Sequence, residues 1–596
     1  MFRTYRLIWG LLTGRERRNF ILLIFLTMVM TVFEVGSVTA ILPFLSVLAR
    51  PEMIGTNHAL IWFAGVFNLG SHAQVMLALG GVVLTVVLVG MVVRAYVTYL
   101  QIRFSLMRAY AIASRLLRGY LQQDYVWFLS RNSAELSQSL LSEIDTVIRE
   151  AVLPAVLVMS NFMVVLLIGG LLFAVEPWVA VGATTLLLSS YLLIYLVLRN
   201  RLGRISAQRL AANRQRFHVV QEVAGGIKEL KVMGLEQISL HRFRTPAETM
   251  ARNQSLGQTL TRLPRFALEA VVYGGFIAMV LFLIVVRGDD MADLIPLLGL
   301  IGIAGVKLFP AMQQIYQQLS SIRFSSASLE KLHHTMTTLA ERPFAQSAAE
   351  PLHLTRQIEL RGLHFRYPGA ERDTLDGFSA VIAARTTLGI VGGTGAGKTT
   401  VIDILLGLLH PGAGEILVDG VAVTPDRVRA WQKSLGYVPQ HIFLSDDTVA
   451  GNIAFGIPAD KIDRVAVERA ARVANLHEFV MSDLAQGYQT MVGERGVRLS
   501  GGQRQRIGIA RALYNDPDVL ILDEATSALD NVTERAVMEA VHNLGGKKTV
   551  IMIAHRLSTV ENCDTIFLLE QGRLAAQGSY GDLLQNSENF RKMAKG

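Results

Sequence analysis

The 596-residue sequence has a single cysteine, Cys563, in VENCDTIFLLE near the C-terminus. One thiol excludes an intramolecular disulfide framework and a cysteine-based metal cluster, and it suits a reducing compartment for that half of the chain. Charge is sparse as well, with Asp, Glu, Lys and Arg making up 18% of residues. Acids are the scarcer sign, 48 against 57 Lys and Arg, for a formal net charge of +9. The stretch MFRTYRLIWGLLTGRERRNF lacks a small-residue cleavage site, which argues against a removed signal peptide.

What fills the chain instead is apolar. A hydrophobic content of 51% and a mean hydropathy of +0.38 exceed what a soluble protein of this size needs for its cores, so a membrane protein is expected. Runs long enough to cross a bilayer, roughly 20 residues each, lie near 20–48, 74–100, 152–174, 177–199, 265–286 and 291–316. Between the second and third stand Arg103, Arg108, Arg115, Arg118, Arg131 and Arg149, and after the fourth the basic stretch RNRLGRISAQRLAANRQRF. The positive-inside rule makes both connections cytoplasmic, and with six spans both termini lie there too. The basic surplus is thereby explained by loops that orient spans, with no nucleic-acid partner required. Phe2, Tyr5, Ile8, Trp9 and Leu12 share one helical face, as an interfacial helix ahead of the first span would.

The two inner connections, QIRFSLMRAYAIASRLLRGYLQQ and RLAANRQRFHVVQEVAGGIKELKVMGLE, carry apolar residues at helical spacing and are predicted to extend the spans into the cytoplasm. After LAERPFAQSAAEPLHL the pattern changes to strands, glycine turns and helices of a soluble α/β domain. The expected division is a membrane domain over 1–335, a linker over 336–355 and the α/β domain over 356–596.

In that second domain GGTGAGKTT, residues 392–400, follows the apolar strand TLGIV and leads into VIDILLGLL. It fits the P-loop pattern: backbone N–H groups turned inward at a helix N-terminus cradle phosphate oxygens. The cradle comprises Gly392, Gly393, Thr394, Gly395, Ala396, Gly397 and Thr400, with Lys398 reaching the β- and γ-phosphates and Thr399 on Mg²⁺. Downstream, DVLILDEATSALD ends a buried strand in Asp523, suited to the Mg²⁺ shell, and Glu524, suited to orienting or deprotonating the attacking water. RLSGGQRQRIGIARAL sets Ser500, Gly501, Gly502 and Gln503 at the start of a helix, a second anion-binding terminus.

P-loop, LSGGQ and acidic strand, in that order, resemble the nucleotide-binding domain of ABC transporters. That resemblance implies roles for further residues: Tyr367 of FRYPG stacks on adenine, and Gln440 of YVPQHIFL senses Mg²⁺ and contacts the membrane domain. It likewise assigns Asp530 of SALD to the D-loop and His555 of IAHRLS to the γ-phosphate. An α-helical polytopic membrane domain of six spans, extended into the cytoplasm and followed by an α/β P-loop domain, is the layout of exporter-type half-transporters. It implies a homodimer, ATP and Mg²⁺, a bacterial inner membrane, and coupling helices near YVWFLSRN and IKELKVMGL.

The membrane half resembles lipid-linked oligosaccharide flippases of the PglK type, through TVFEVGSVTAILPFL, VVRAYVTYLQIRFS and LPRFALEAVVYGG, with NHALIWFAGVFNL matching a short outer helix. Three cations stand within or at the edge of spans, where an unpaired charge is costly. Arg94 is roughly 28 Å along the second span and Lys307 roughly 24 Å along the sixth, while Arg265 starts the fifth. The resemblance gives Arg94, Arg265 and Lys307 the task of drawing a pyrophosphate-bearing lipid-linked sugar out of the cytoplasmic leaflet; the competing role is anchoring at the interface. Glu34, in the first span, is placed either beside one of these cations or in the outer half of the cavity. The alternatives are an exporter of another lipid such as lipid A, a drug or a peptide, and, in another class, an ATP-gated channel or membrane regulator. Against peptide processing, no cysteine precedes the first span to act as protease nucleophile.

Overall fold

A computed structural model of the chain describes all residues except 1, 50–56, 68, 70, 176, 288–290, 340–349, 494–495, 524–545, 555 and 596. The chain divides into a helical unit, Met1–Gln123 with Arg131–Arg342, and an α/β unit, Asp124–Ser130 with Pro343–Gly596.

The helical unit starts with α1 (Phe2–Leu11), α2 (Gly14–Ala49), α3 (His58–Val66) and α4 (His72–Leu121). Here α3 falls at the expected outer helix, and α4 runs through the second span and on through its basic continuation without a break. A short α6 (Ser133–Gln138) passes through two π-helical turns, Ser139–Glu143 and Ile148–Val152, into α7 (Leu153–Val175). There follow α8 (Pro177–Gly225), α9 (Ile227–Met233), α10 (Glu236–Arg262), α11 (Pro264–Arg287), α12 (Met291–Phe324) and α13 (Ser326–Thr338), the last continuing past residue 335. Over the described residues, Gly14–Ile41, His72–Leu121, Ser133–Ala174 and Ala180–Gly225 are long and apolar enough to cross a bilayer; α11 and α12 occupy the positions of the fifth and sixth predicted spans.

Several polar residues within these helices are paired across them. The buried Gln101 amide on α4 donates to Thr27 Oγ1 on α2 at 3.1 Å. Buried Glu16, at the start of α2, takes Arg108 at 2.7 Å and Arg115 at 3.5 Å, both from α4. Close approach is bought by small residues: a Cβ on Gly257 would stand 2.3 Å from Phe324 Cε2, so α10 and α12 can pack here only without a side chain at 257.

In the α/β unit, β1 (Gln357–Phe365), β2 (Leu375–Ala383), β4 (Ala413–Val418) and β5 (Val421–Ala422) form an antiparallel sheet in the order β2-β1-β4-β5. The second sheet, β10-β9-β3-β8-β7-β6, contains β3 (Thr387–Gly392), β6 (Leu435–Val438), β7 (Val519–Asp523), β8 (Thr549–Ile553), β9 (Thr565–Glu570) and β10 (Arg573–Gly578). It is parallel apart from its β10 edge. The near-continuous apolar runs of β3, β7 and β8 are those of strands covered on both faces. Side chains alternate between two cores. Leu520, Leu522, Val550 and Met552 enter one; Val519, Ile521, Ile551 and Ile553 enter the other. The short α5 (Tyr125–Leu129), at the first expected coupling helix, belongs to this unit, and Val126 packs against its second core.

Candidate functional site

The P-loop joins the C-terminal end of β3 to α14 (Lys398–Leu405). In a parallel sheet this is where ligands bind, because loops diverge there and helix N-termini point inward. Two glycines are required by close approach. A Cβ on Gly392 would lie 2.4 Å from the Leu569 carbonyl oxygen, and one on Gly397, at φ +98°, would lie 2.9 Å from Leu375 Cδ2. At Gly393 and Gly395 a Cβ would meet nothing within 4 Å, so the loop is open on that side to a phosphate. Lys398 is 7% exposed, and its Nζ donates to the carbonyls of Gly392 at 2.8 Å and Gly393 at 3.1 Å. The ammonium therefore lies over the loop that would hold the phosphates. Thr394 and Thr399 are exposed, whereas Ala396 and Thr400 are buried. Thr400 Oγ1 is 3.3 Å from the hydroxyl of Tyr367, which places the expected adenine-stacking ring beside the start of α14.

Asp523 ends β7, and Gln440 follows β6 by two residues. The strands are parallel neighbours, so both side chains issue from the same end of the sheet as the P-loop. Carboxylate, threonine hydroxyl and amide oxygens are hard donors of the kind Mg²⁺ takes, so the residues present fit that ion. Glu524, Asp530 and His555 lie outside the described residues.

Ser500 N-caps α16 (Gly501–Leu513), with α15 (Val449–Ile453) packed beside it. The Ser500 hydroxyl accepts from Gln503 N at 3.2 Å, and Gln503 Oε1 accepts from Ser500 N at 2.7 Å, a capping box that fixes the helix entry. The Gln503 side chain is thus committed to the cap at the start of the helix. Signature residues Ile507 and Ile509 belong to one core of the unit and P-loop helix residues Val401 and Ile402 to the other.

Two polar clusters escaped the sequence reading. Arg511 on α16 donates to Asn452 O at 2.8 Å, to Phe443 O at 2.8 Å and to Asn452 Oδ1 at 3.2 Å, and its guanidinium lies 4.6 Å from the Phe455 ring centre. One turn earlier, a Cβ on Gly508 would be 2.5 Å from Ile442 Cδ1. One face of the signature helix therefore grips the segment just after Gln440. Burial brings the Arg511 guanidinium down to about 10. The second cluster surrounds Asp403, a carboxyl inside α14 that burial, and then the charge of Asp523, push up to about 6. The Tyr437 hydroxyl, raised by burial and by the same two acids, hydrogen-bonds Asp523. The only local signal for either cluster was a polar residue in an apolar run, Asp403 in TTVIDILLGL and Asn452 in TVAGNIAFG.

Of the membrane residues, Glu34 on α2 pairs with Arg94 on α4 at 2.8 Å. Arg265 pairs with Glu269 one turn along α11 at 2.7 Å. Lys307, half-buried on α12, makes no ion pair among the described residues. The three cations thus sit on three different helices.

Residues 19–298 match the family model of the ABC transporter transmembrane region, and residues 375–527 that of the ABC transporter. The chain is 35% identical over 426 residues to a protein of Aromatoleum aromaticum named ATP-dependent lipid A-core flippase, across 71% of this chain and 70% of that one. A Pseudomonas aeruginosa protein of the same name is 34% identical over 63% of this chain, and the match spans less than two thirds, 61%, of that relative. A solved structure described as a bacterial Atm1-family ABC exporter with ATP bound shares the fold, with a TM-score of 0.77 at 24% identity over 98% of both chains. With a helical membrane region and a P-loop domain on one polypeptide, the chain belongs to the ABC transporters, as an ATP-hydrolysing exporter-type half-transporter.

Proposed function

We propose that two copies of this chain work as a homodimer in the bacterial cytoplasmic membrane, with both termini cytoplasmic, flipping a lipid-linked, pyrophosphate-bearing oligosaccharide at the expense of ATP. Lys398 and the loop amides from Gly392 to Thr400 hold the phosphates, and Tyr367 stacks on adenine. Thr399, Asp523 and Gln440 hold Mg²⁺, which when bound neutralises and orients phosphate oxygens. Glu524 orients and deprotonates the attacking water, and His555 contacts the γ-phosphate. Gly501, Gly502 and the capping pair Ser500 and Gln503 present a helix N-terminus to the nucleotide held by the other copy, with Asp530 at the same junction. The observation that carries the ATP reading is the Lys398 ammonium lying over the open P-loop.

For the substrate, the supporting observation is a set of cations, Arg94, Arg265 and Lys307, on three helices of the span region, with Lys307 lacking an acid partner among the described residues. Such charges suit a phosphate-bearing head group while the tail stays in lipid. The name carried by the relatives favours a second reading, a lipid A-core substrate, whose phosphates ask for the same chemistry.

The experiment is ATP-dependent flipping in proteoliposomes, offering polyprenyl-pyrophosphate oligosaccharide and lipid A-core in parallel. Faster flipping of the first is expected. Preference for lipid A-core selects the second reading, and ATP hydrolysis without movement of either lipid defeats both in favour of a channel or regulator.

A further inference from the structure

The helical unit contains a cavity of about 210 Å³ at the meeting of α1, α8 and α12, with Tyr5, Tyr195, Arg199, Asn200, Ile322 and Arg323 among its walls. Two guanidinium groups line it and no carboxylate does. Among the described residues, neither Arg199 nor Arg323 forms an ion pair. The Arg323 side chain is anchored to the backbone of α8: its Nε donates to the carbonyl oxygen of Arg199 at 3.2 Å. Gly203 makes room for this, since a Cβ there would stand 3.0 Å from Arg323 Nη2. Neighbouring like charges without a counter-charge repel, and both are relieved when an anion enters.

The position of the cavity along the chain identifies the kind of anion. Arg199 closes the apolar run of α8, while Tyr5 belongs to the amphipathic α1 that precedes the first span. Tyrosine, arginine and aliphatic side chains together at the end of a span make the lining of a membrane–water boundary, and basic pockets between helices on the cytoplasmic side take lipid head groups. We propose that this cavity binds the phosphate of an anionic phospholipid head group from the cytoplasmic leaflet. Arg199 and Arg323 supply the charge, Tyr5, Tyr195 and Asn200 supply hydrogen-bond donors, and Ile322 offers apolar surface to the glycerol end. The inference rests on α8 crossing the membrane with Arg199 at its cytoplasmic end, and it is independent of which lipid is transported.

The test is native mass spectrometry of the purified full-length protein in detergent, titrated with phosphatidylglycerol or phosphatidylcholine, with basal ATP hydrolysis as the check on folding. Wild type is expected to prefer phosphatidylglycerol about tenfold or more, and removal of one arginine to cut that preference about fivefold. Arg199→Gln decides the matter, because the Arg199 side chain is exposed and makes no hydrogen bond among the described residues; Arg323→Gln is the second variant, and Arg199→Lys should keep part of the preference. Equal affinity for the two lipids in wild type, or an unchanged preference in a normally hydrolysing Arg199→Gln protein, overturns the proposal. So does an Arg199-dependent affinity for inorganic phosphate with no lipid preference, which would make the site one for a soluble anion. Because binding is read without transport, failure of the flipping experiment leaves this result standing, and the reverse holds too.

Discussion

Arg94 on α4 and Glu34 on α2, sixty residues apart in sequence, meet at 2.8 Å with unequal surroundings: the Glu34 side chain is 9% exposed, the Arg94 side chain 54%. A buried carboxylate needs a counter-charge, so Arg94 has a structural duty besides any contact with substrate. Neutralising it does two things at once, and a flipping defect in that variant by itself would not assign the residue to substrate.

The pair can be separated from the substrate role. Arg94→Gln is expected to lower stability by about 2 kcal/mol, less than the roughly 3–5 kcal/mol of a fully buried pair because Arg94 is half-exposed. Arg94→Gln with Glu34→Gln should recover most of that loss. Thermal unfolding in detergent reads both. Failure of the double variant to recover would mean that Glu34 is not left stranded by the single one.

Glu524→Gln should bind Mg-ATP with near-normal affinity and hydrolyse it about 10²–10⁴-fold more slowly, the usual cost of losing a general base. Nucleotide-analogue binding and steady-state ATPase give the two numbers. Hydrolysis near the wild-type rate removes Glu524 from the catalytic role.

Arg511 makes three hydrogen bonds that join the signature helix to the segment after Gln440. Arg511→Ala removes three hydrogen bonds, although Asn452 Oδ1 keeps Ser445 N and Oγ as donors, and should cost about 2–4 kcal/mol at roughly 1 kcal/mol or more per bond. Arg511→Lys keeps the charge but cannot reproduce the fork and should recover less than half. Urea unfolding of the purified protein, followed by tryptophan fluorescence, measures it. Equal stability of Lys and Arg at this position would contradict the fork.

Asp403 titrates at about 6 in the folded protein against an ordinary 3.8. The folded state therefore holds the proton more tightly than the unfolded chain. The stability this carboxyl contributes is fully present below about pH 3.8 and lost as the pH rises through about 6. Asp403→Asn should accordingly gain on wild type between pH 4 and pH 7, by about 1–2 kcal/mol. A stability difference between the two that stays flat across that range would rule out the shift.

The P-loop, the signature and the helical membrane region were legible because each is local. The phosphate cradle needs glycine at chosen positions of one turn, the Ser500–Gln503 capping box closes over three residues, and a membrane span needs only a long apolar run. The extension of α4 and α8 beyond their apolar parts was legible for the same reason, since helical periodicity persists among the charges. What the tertiary structure decided depends on residues that are distant in the chain. Arg94 chooses Glu34, and Arg511 reaches Phe443 and Asn452, 68 and 59 positions away. Asp124–Ser130, from the midst of the helical sequence, packs with the α/β unit. Asp403 acquires its raised proton affinity from burial in the α/β unit and from Asp523, which a separate strand supplies. A local period states which face of a helix is apolar but not which other helix covers it; burial and charge pairing depend on that covering, so they take their values only once the chain has folded.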